Sequence, residues 1–415
     1  MKVLFISEYY PPKIMGGGEI NLELLATGLA KKGVEVSVLT SYHPGLDKVE
    51  VKNGITILRK LKTGKNPSSL IENVKRSLIF PKSIVKEVKR IVNQEKIDAI
   101  HFIGTSVIAA VELKSVGIPL FATIESYPAL CPKGDRIFHG KSECMVKCSF
   151  TEFLSCQKDS QEIGKMKNKW YLKYNAPALS YIYNYYSQLN DALQHCNLIA
   201  ISKYVQNVLQ QQGHGSVAIP NALPLENFKV KDKKKNDNRK NSKINILCLG
   251  SLIKSKGAQV LADAVQGLDC EVSWYGKGIL KEELERQIQQ RNLPVTIHEQ
   301  VPYEQIPSLY AQADIVVFPS IWPEPFGRIA IEAMAAGKPV IGSAIGGIKE
   351  TIVEGTGILV DPGNVKQLRE AIDLLIHNPK LRKEMAMKGR KIAEEYAVDR
   401  VVGKLLALYA EKISS

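Results

Sequence analysis

Residues 314–339 read DIVVFPSIWPEPFGRIAIEAMAAGKP, and this stretch decides the fold class. Its beginning is a short apolar run with the β-branched composition typical of a buried strand. Residues 328–336 are good helix formers, and Gly337 with Pro339 ends that helix. A strand, a turn and a helix form the repeating unit of parallel sheets, so we expect an α/β protein.

Short β-rich runs alternate with helical segments along the whole chain, which predicts βαβ units. The predicted strands are residues 3–7, 35–40, 55–59, 99–103, 120–124, 198–202, 244–249, 271–275, 295–298, 315–318, 340–342 and 358–360. A Pro-Asn turn and a Lys- and Asn-rich stretch interrupt the pattern. At 415 residues the chain exceeds a single core. We therefore predict two doubly wound, Rossmann-like domains facing a central cleft: residues 1–222, a basic linker at 223–243, and a second domain from residue 244.

Two carboxylates, Glu324 and Glu332, are separated by seven residues in the opening stretch. Glu324 lies in the turn after the strand, at the sheet edge where α/β proteins bind ligands. Glu332 lies in the second turn of the helix, whose free N–H groups and positive dipole end suit a phosphate. Two hydroxyl acceptors beside an anion site predict a sugar nucleotide as the ligand. Ordinary glutamates on a solvated helix face are the alternative.

The order of the motifs resembles that of retaining glycosyltransferases of the GT-B fold, family 4 in particular, whose signature is E-x7-E. Besides the two glutamates, the resemblance rests on residues 16–19, 220–221, 250 with 256–257, 318–320, 346–347 with 350, and 357–362. It covers nearly the whole chain. It implies that the first domain binds the acceptor and that residues 244–397 bind the nucleotide sugar. It also implies that residues 398–415 form a helix crossing back onto the first domain.

The resemblance assigns roles to the second domain's residues. Glu324 would contact the hydroxyls of the donor sugar, and Glu332 would accept hydrogen bonds from the ribose. Backbone N–H groups of four successive residues would meet the sugar and diphosphate: Phe326, Gly327, Arg328 and Ile329. The nucleobase is expected near residues 275–276 and near Gln300 and Val301.

Lys256 follows the first strand of the second domain, where a cation can counter the charge of a diphosphate leaving group. We assign it, with Glu324, as catalytic. Family members commonly carry an Arg directly after the first Gly of this turn. Ser251 stands there in this chain, and Lys254 is the residue that could compensate.

Three glycines, Gly16, Gly17 and Gly18, follow the first predicted strand and precede a helix expected to begin near Glu19. Without side chains, their N–H groups can approach a phosphate or a hydroxyl closely. Flexible loops use glycine freely, but the resemblance implies a loop that touches the donor.

The chain departs from the family pattern at Glu125, where the family often has a His that meets the transferred sugar. An ionised carboxylate only accepts hydrogen bonds. Glu125 therefore contacts a different sugar position, binds the acceptor, or satisfies strand-end backbone, and the sequence leaves these open. His101, at another strand end, is expected to be structural.

The net charge of +14 is concentrated in two stretches: residues 59–96 contribute +8 and residues 229–243 contribute +6. The second is typical of a flexible linker. In the first, apolar stripes mix with Lys and Arg, as in helices that dock on anionic membranes. A sheet-covering helix with a soluble outer face explains that pattern equally well. No nucleic-acid recognition module accompanies the charge.

Four of the seven cysteines fall within twenty-six residues: Cys131, Cys144, Cys148 and Cys156. Neither a membrane-spanning run nor a secretory signal is visible, so we expect a cytoplasmic protein, in which disulfides are rare. The four thiols either hold a structural zinc or pack a lid loop, since paired C-x2-C knuckles are missing. The other three cysteines lie in or beside apolar runs and are expected to be buried thiols.

Together, the residues and the resemblance predict a retaining, metal-independent hexosyltransferase that requires no cofactor. Its expected donor is a nucleoside-diphosphate sugar, with uridine as the base. Its expected acceptor is a hydroxyl of a lipid-linked or cell-surface glycan precursor, reached by peripheral binding to the inner face of the membrane. Two alternatives remain: a GT-B-fold sugar-nucleotide epimerase, and a nucleotide-sugar-binding protein without activity.

Overall fold

A computed structural model of the chain describes residues 1–64, 70–140, 142–144, 146–159, 175–229 and 243–414. Its strands are β1 (Lys2–Ile6), β2 (Glu35–Ser41), β3 (Val49–Lys52), β4 (Ile55–Leu61), β5 (Ala99–Ile103), β6 (Leu120–Ile124), β7 (Ile137–Phe138), β8 (Ser142–Glu143), β9 (Asn197–Ala200), β10 (Ser216–Ala218), β11 (Ile244–Leu249), β12 (Cys270–Tyr275), β13 (Val295–His298), β14 (Ile315–Phe318), β15 (Val340–Ser343) and β16 (Gly357–Val360). Its α-helices are α1 (Gly17–Lys31), α2 (Leu70–Gln94), α3 (Ala110–Leu113), α4 (Phe150–Asp159), α5 (Ala176–Leu193), α6 (Lys203–Gln211), α7 (Leu225–Phe228), α8 (Ala258–Ala264), α9 (Lys281–Arg291), α10 (Ile306–Gln312), α11 (Arg328–Ala335), α12 (Ile348–Thr351), α13 (Val365–His377), α14 (Pro379–Ala393) and α15 (Val398–Ser414).

The strands form two large sheets, one in each half of the chain. The first has the order β10-β9-β6-β5-β1-β2-β4-β3, and the second has the order β13-β12-β11-β14-β15-β16. The described neighbours pair in parallel apart from β3 and β4, which are antiparallel. The predicted fold class, two doubly wound Rossmann-like domains, is confirmed.

The central strands show why the sequence folds this way. In β1, residues Val3 to Ile6 are fully buried because the strand lies between β2 and β5. In the second sheet β14 has the same position, between β11 and β15. Such strands read as continuous apolar runs. The segment after β14 therefore leaves the sheet at its carboxyl edge, the edge where α/β folds place ligands.

The sequence did not predict β3, β10 or the hairpin of β7 and β8. β3 is an edge strand whose Val49 and Val51 are exposed, so it lacks the buried face that marks the other strands. The hairpin strands have only two residues each, too few for a hydrophobic period to be visible.

The C-terminal helix α15 packs against α1 of the first domain. A Cβ on Gly28 would lie 2.6 Å from Cγ2 of Val402, so only glycine allows this approach. The Tyr409 hydroxyl hydrogen-bonds to Nδ1 of His101, whose Nε2 lies 2.7 Å from Oγ1 of Thr123. Burial lowers the pKa of His101 to about 3, so the ring is neutral and its role here is structural.

Residues 70–94 of the first basic stretch form one helix, α2, with Pro81 inside it. Phe80, Ile84 and Val88 face the core, whereas Leu78 and Ile79 are exposed. In the described ranges, no helix is both long and apolar enough to cross a bilayer.

Part of the predicted linker is folded. Residues 225–228 form α7, and Phe228 is buried against the rings of Tyr303 and Tyr310. Residues 230–242, which carry most of the linker's positive charge, lie outside the described residues.

Candidate active site

The turn after β14 places Glu324 at the carboxyl edge of the second sheet. Its side chain is buried and accepts hydrogen bonds from Oγ of Ser320 at 3.0 Å and from Nζ of Lys256. Nζ of Lys256 also lies 4.9 Å from the centre of the Trp322 ring. The two residues assigned as catalytic thus form an ion pair in one partly desolvated position.

Two glycines in the loop after β15 pack directly against the turn that carries Glu324. Gly346 has a φ of +57°, and a Cβ there would lie 2.5 Å from the carbonyl oxygen of Glu324. A Cβ on Gly347 would lie 2.5 Å from the carbonyl oxygen of Pro325. The backbone N–H of Gly347 donates to the carbonyl oxygen of Glu324 at 2.7 Å. The Gly346-Gly347 motif therefore allows close packing of the loop that carries Glu324.

Glu332 lies in the second turn of α11, buried, and three side chains donate to it. Nε of Arg328 and the Tyr303 hydroxyl donate to Oε1 at 2.8 and 2.9 Å, and the Tyr310 hydroxyl donates to Oε2 at 3.1 Å. Nη1 of Arg328 reaches the carbonyl oxygen of Ala222 in the first domain at 3.1 Å. Sequence reasoning missed the pairing of Glu332 with Arg328, although their i,i+4 spacing carries that signal.

The start of α11 lies beside Glu324. Gly327 turns the chain into the helix with a φ of +92°, and a Cβ there would lie 3.1 Å from Oγ1 of Thr351. Phe326 is buried against Tyr396, and Ile329 is half-buried. The first N–H groups of a helix have no intrahelical acceptor. The segment from Phe326 to Ile329 therefore forms an anion-attracting helix start at the predicted position.

α1 begins at Gly17, two residues earlier than predicted, because Glu19 caps it. The Glu19 carboxylate accepts from the backbone N–H of Gly16 at 2.8 Å and of Met15 at 3.3 Å. Gly17 and Gly18 are thus the first turn of the helix and not a loop ahead of it. A Cβ on Gly17 would lie 3.7 Å from Cδ of Arg328, so this turn meets the second domain near the start of α11.

Glu125 lies against the same turn. A Cβ on Gly18 would lie 3.4 Å from Cγ of Glu125. The carboxylate accepts from Nδ2 of Asn21 at 2.8 Å, and Oδ1 of Asn21 accepts from the N–H of Ala222 at 2.8 Å. Burial raises the pKa of Glu125, while the Asn21 hydrogen bond lowers it. The bond to a side chain argues against the reading in which Glu125 serves strand-end backbone.

A cleft of about 840 Å³ separates the two domains. Residues from both domains line it. The residues predicted to lie near the nucleobase are among them: Tyr275, Gly276, Gln300 and Val301. Gly16 of the first domain and Gly250 and Ser251 of the second also line it. Tyr275 stacks on His298, with ring centres 4.4 Å apart. Tyr303 also lines the cleft and connects it to Glu332. Lys254 is exposed on the 3-10 turn Lys254–Lys256 and does not line this cleft.

Side chains of the first domain hold the Glu324 loop from the other side. The Tyr127 hydroxyl donates to the carbonyl oxygen of Pro323 at 2.6 Å, and Oγ of Ser202 donates to that of Pro325 at 2.6 Å. Sequence reasoning missed both residues because their partners lie more than a hundred residues away along the chain.

A further contact between the domains is made by Glu350. Its carboxylate accepts from the backbone N–H groups of Lys203, at 2.8 Å, and of Tyr204, so it caps the N-terminus of α6. Glu350 belongs to one of the sequence motifs, but the sequence assigned it no role. In the described chain Ser202, Lys203 and Glu350 do not line the 840 Å³ cleft.

Two Rossmann-like domains with a ligand-sized cleft between them are the architecture of the GT-B fold. The model of the family described as Glycosyltransferase Family 4 matches residues 15–227, and that described as Glycosyl transferases group 1 matches residues 229–392. The chain therefore belongs to glycosyltransferase family 4, as its motifs suggested, and it is a glycosyltransferase.

Known proteins match over the full length. The chain is 25% identical over 418 residues to an uncharacterized glycosyltransferase of Methanocaldococcus jannaschii, covering 99% of this chain and 98% of the relative. Sucrose-phosphate synthase from Thermosynechococcus elongatus superposes with a TM-score of 0.76 at 22% identity, covering 99% and 98% of the two chains. The Anabaena protein HepE, solved in complex with UDP and glucose, superposes with a TM-score of 0.69 at 19% identity, with 99% of each chain covered. These structures share the fold.

Proposed function

We propose that this glycosyltransferase moves a hexosyl group from a uridine-diphosphate sugar to an acceptor hydroxyl, with retention at the anomeric carbon and without a metal. The observation that carries this is that the Lys256–Glu324 pair, the start of α11 and the cleft residues Gly250 and Gly276 all follow strands at the carboxyl edge of the second sheet. In the described chain the pair and the helix start do not themselves line the cleft. The complex of HepE with UDP and glucose supports the choice of base. The acceptor we propose is a lipid-linked or cell-surface glycan precursor.

The chemistry follows from the charges of these groups. The bond between the anomeric carbon and the leaving phosphate oxygen breaks, and the acceptor oxygen bonds to the same face of that carbon. The acceptor proton passes to the departing diphosphate, so no protein base is needed. Lys256 and the N–H groups of α11 stabilise the negative charge of the diphosphate. Glu324, once Lys256 turns to the phosphate, accepts hydrogen bonds from the donor sugar.

The proposal predicts which donor is consumed. With a panel of UDP-, GDP-, ADP- and dTDP-hexoses, we expect nucleoside diphosphate to be released fastest from a UDP-hexose, and faster still when a lipid extract supplies acceptor. Released UDP and radiolabelled product are measured. A label that remains on the nucleotide as an epimer would establish the epimerase, and binding without turnover of any donor would leave only a nucleotide-sugar-binding protein.

We also propose that α2 docks the enzyme on the anionic, cytoplasmic face of a membrane. Lys75, Leu78, Ile79, Lys82 and Lys86 are exposed at spacings of three and four residues, which places them along one outer face of the helix. Apolar side chains flanked by lysines suit a bilayer surface, which they would enter no deeper than the headgroups. The first domain, where the acceptor is expected to bind, would then face the lipid.

This second proposal is tested with vesicles. We expect the protein to sediment with phosphatidylglycerol vesicles at low salt, and the double variant Lys82→Glu/Lys86→Glu to lose roughly tenfold or more in affinity, since each lysine near the surface contributes about 1 kcal/mol. The control Lys380→Glu/Lys383→Glu changes the charge equally on exposed positions of α14. Equal loss in both variants, or failure of the wild type to sediment, would rule out a specific surface.

A further inference from the structure

The four clustered cysteines meet around one small cavity. Cys131 follows the turn after β6, Cys144 comes directly after β8, Cys148 precedes α4, and Cys156 lies on α4. All four line a cavity of about 20 Å³, and all but Cys148 are buried. A volume of roughly 10–15 Å³ is enough for a single water-sized occupant. The cavity therefore has room for one small ion among four thiols.

The cavity wall also carries an incompletely paired cation. Arg136 is 1% exposed, and its Nη1 donates to the carbonyl oxygens of Leu130 and Val146 at 3.3 Å each. Its Nε and Nη2 have no hydrogen-bond partner among the described residues although both are buried. Lys133 lines the same cavity, but its ammonium is paired with the Asp135 carboxylate at 3.3 Å and donates to the carbonyl oxygen of Ile137 at 2.8 Å. Beside four thiols, a buried guanidinium with two nitrogens unpartnered in the described chain is poorly compensated, because a buried charge requires partners.

Two of the thiols at present face carbonyl oxygens. Sγ of Cys156 lies 3.5 Å from the carbonyl oxygen of Ile137, and Sγ of Cys148 lies 3.6 Å from that of Ser149. Within the described ranges, no three His, Cys, Asp or Glu side chains already converge as metal ligands. Ligation therefore requires these side chains to rotate from the carbonyls into the cavity.

We propose that the four thiols bind a structural zinc ion. Zn²⁺ displaces one proton from each thiol and gains four thiolate bonds, so four protons are released and the centre carries a charge of −2. The guanidinium of Arg136 offsets part of this charge, which accounts for a buried cation in a thiol-lined wall with two nitrogens that lack a partner in the part of the chain described. The site is separate from the chemistry of sugar transfer and does not depend on it.

Zinc at this position would stabilise the wall that supports Glu324. The carbonyl oxygen of Asp135 accepts from Nε1 of Trp322 at 2.7 Å, and the carboxylate of Glu143 accepts from the N–H of Gly346 at 2.8 Å. Both partners belong to segments that pack on the Glu324 turn. The ion thus acts as a positioning element for the loop between Cys131 and Cys156.

Metal content tests the proposal directly. The full chain is purified reduced and without chelator, and zinc is measured by mass spectrometry. We expect about one zinc per chain, release of zinc by a mercurial reagent, and thiolate-to-metal charge-transfer absorption when Co²⁺ replaces zinc. Cys148→Ser and Cys131→Ser are each expected to lower zinc content and to abolish the cobalt thiolate absorption at stoichiometric metal.

The matched control is Cys196→Ser, a partly buried thiol outside the cluster, which should keep wild-type zinc. Because Cys131 is buried and its variant could misfold, the more exposed Cys148 carries the comparison. Unchanged zinc in the Cys148→Ser variant, no zinc uptake by the reduced wild type, or an intramolecular disulfide among the four cysteines would each overturn the proposal.

Discussion

Replacing Glu324 with Gln should lower kcat by roughly 10²- to 10³-fold, the usual effect of removing one preorganised electrostatic contact in an active site. The amide has the same shape, but it no longer offers a charged acceptor to the donor sugar, and it leaves Nζ of Lys256 without its carboxylate partner. UDP should bind at least as tightly as before, since Lys256 is freed to meet the diphosphate. Turnover and UDP affinity are measured separately, by product formation and by calorimetry.

The control for this variant is Glu370→Gln, an exposed glutamate on α13 of the same domain. It changes the charge equally and should leave both quantities unaltered. Full turnover in the Glu324→Gln enzyme would refute the mechanism, whereas equal losses in UDP affinity and kcat would point to a role in folding.

The second large effect is expected on stability. Gly257 joins the turn that carries Lys256 to α8, with a φ of +73°, and a Cβ there would lie 1.9 Å from the carbonyl oxygen of Pro319. Gly257→Ala must therefore shift the backbone of one of the two loops. We expect the free energy of unfolding of the second domain to fall by about 3 kcal/mol or more, from left-handed strain and the clash together. Urea denaturation followed by circular dichroism measures it.

Gly403→Ala provides the comparison. Gly403 lies inside α15, and a Cβ there would have open space within 4 Å, so alanine should stabilise the protein by up to about 1 kcal/mol. If the urea midpoint of the Gly257→Ala variant equals that of the wild type, the two loops shift to accept the Cβ without a measurable loss of stability, and the prediction is wrong.

The fold was predictable because its strands are buried on both faces. Runs such as β1 and β14 are continuously apolar and lie between helical segments, so their period and length identify them. The start of α1 was placed too late, because glycines at 16–18 suggested a loop while the capping by Glu19 is a matter of local geometry.

The candidate site was predictable in part. The turn with Glu324 and the start of α11 follow from a local strand-turn-helix pattern, and the structure brings Lys256 to them across 68 residues of chain. Tyr127 and Ser202 could not be found in this way, since a tyrosine or serine carries no local sign of a distant carbonyl partner. The roles given to the individual site residues remain predictions until substrates are bound.

The cap that Glu350 places on α6 has a mechanical consequence. The Glu350 carboxylate of the second domain accepts from two successive backbone N–H groups of the first, so separating them breaks two hydrogen bonds while rotation about the carboxylate breaks neither. Ser202, next to these N–H groups, donates to the carbonyl oxygen of Pro325 of the second domain. Glu350 and Ser202 thus tie the two halves together at this point. If these bonds persist while substrates enter and leave, the gap widens by rotation about this point, and the far rim travels the greatest distance.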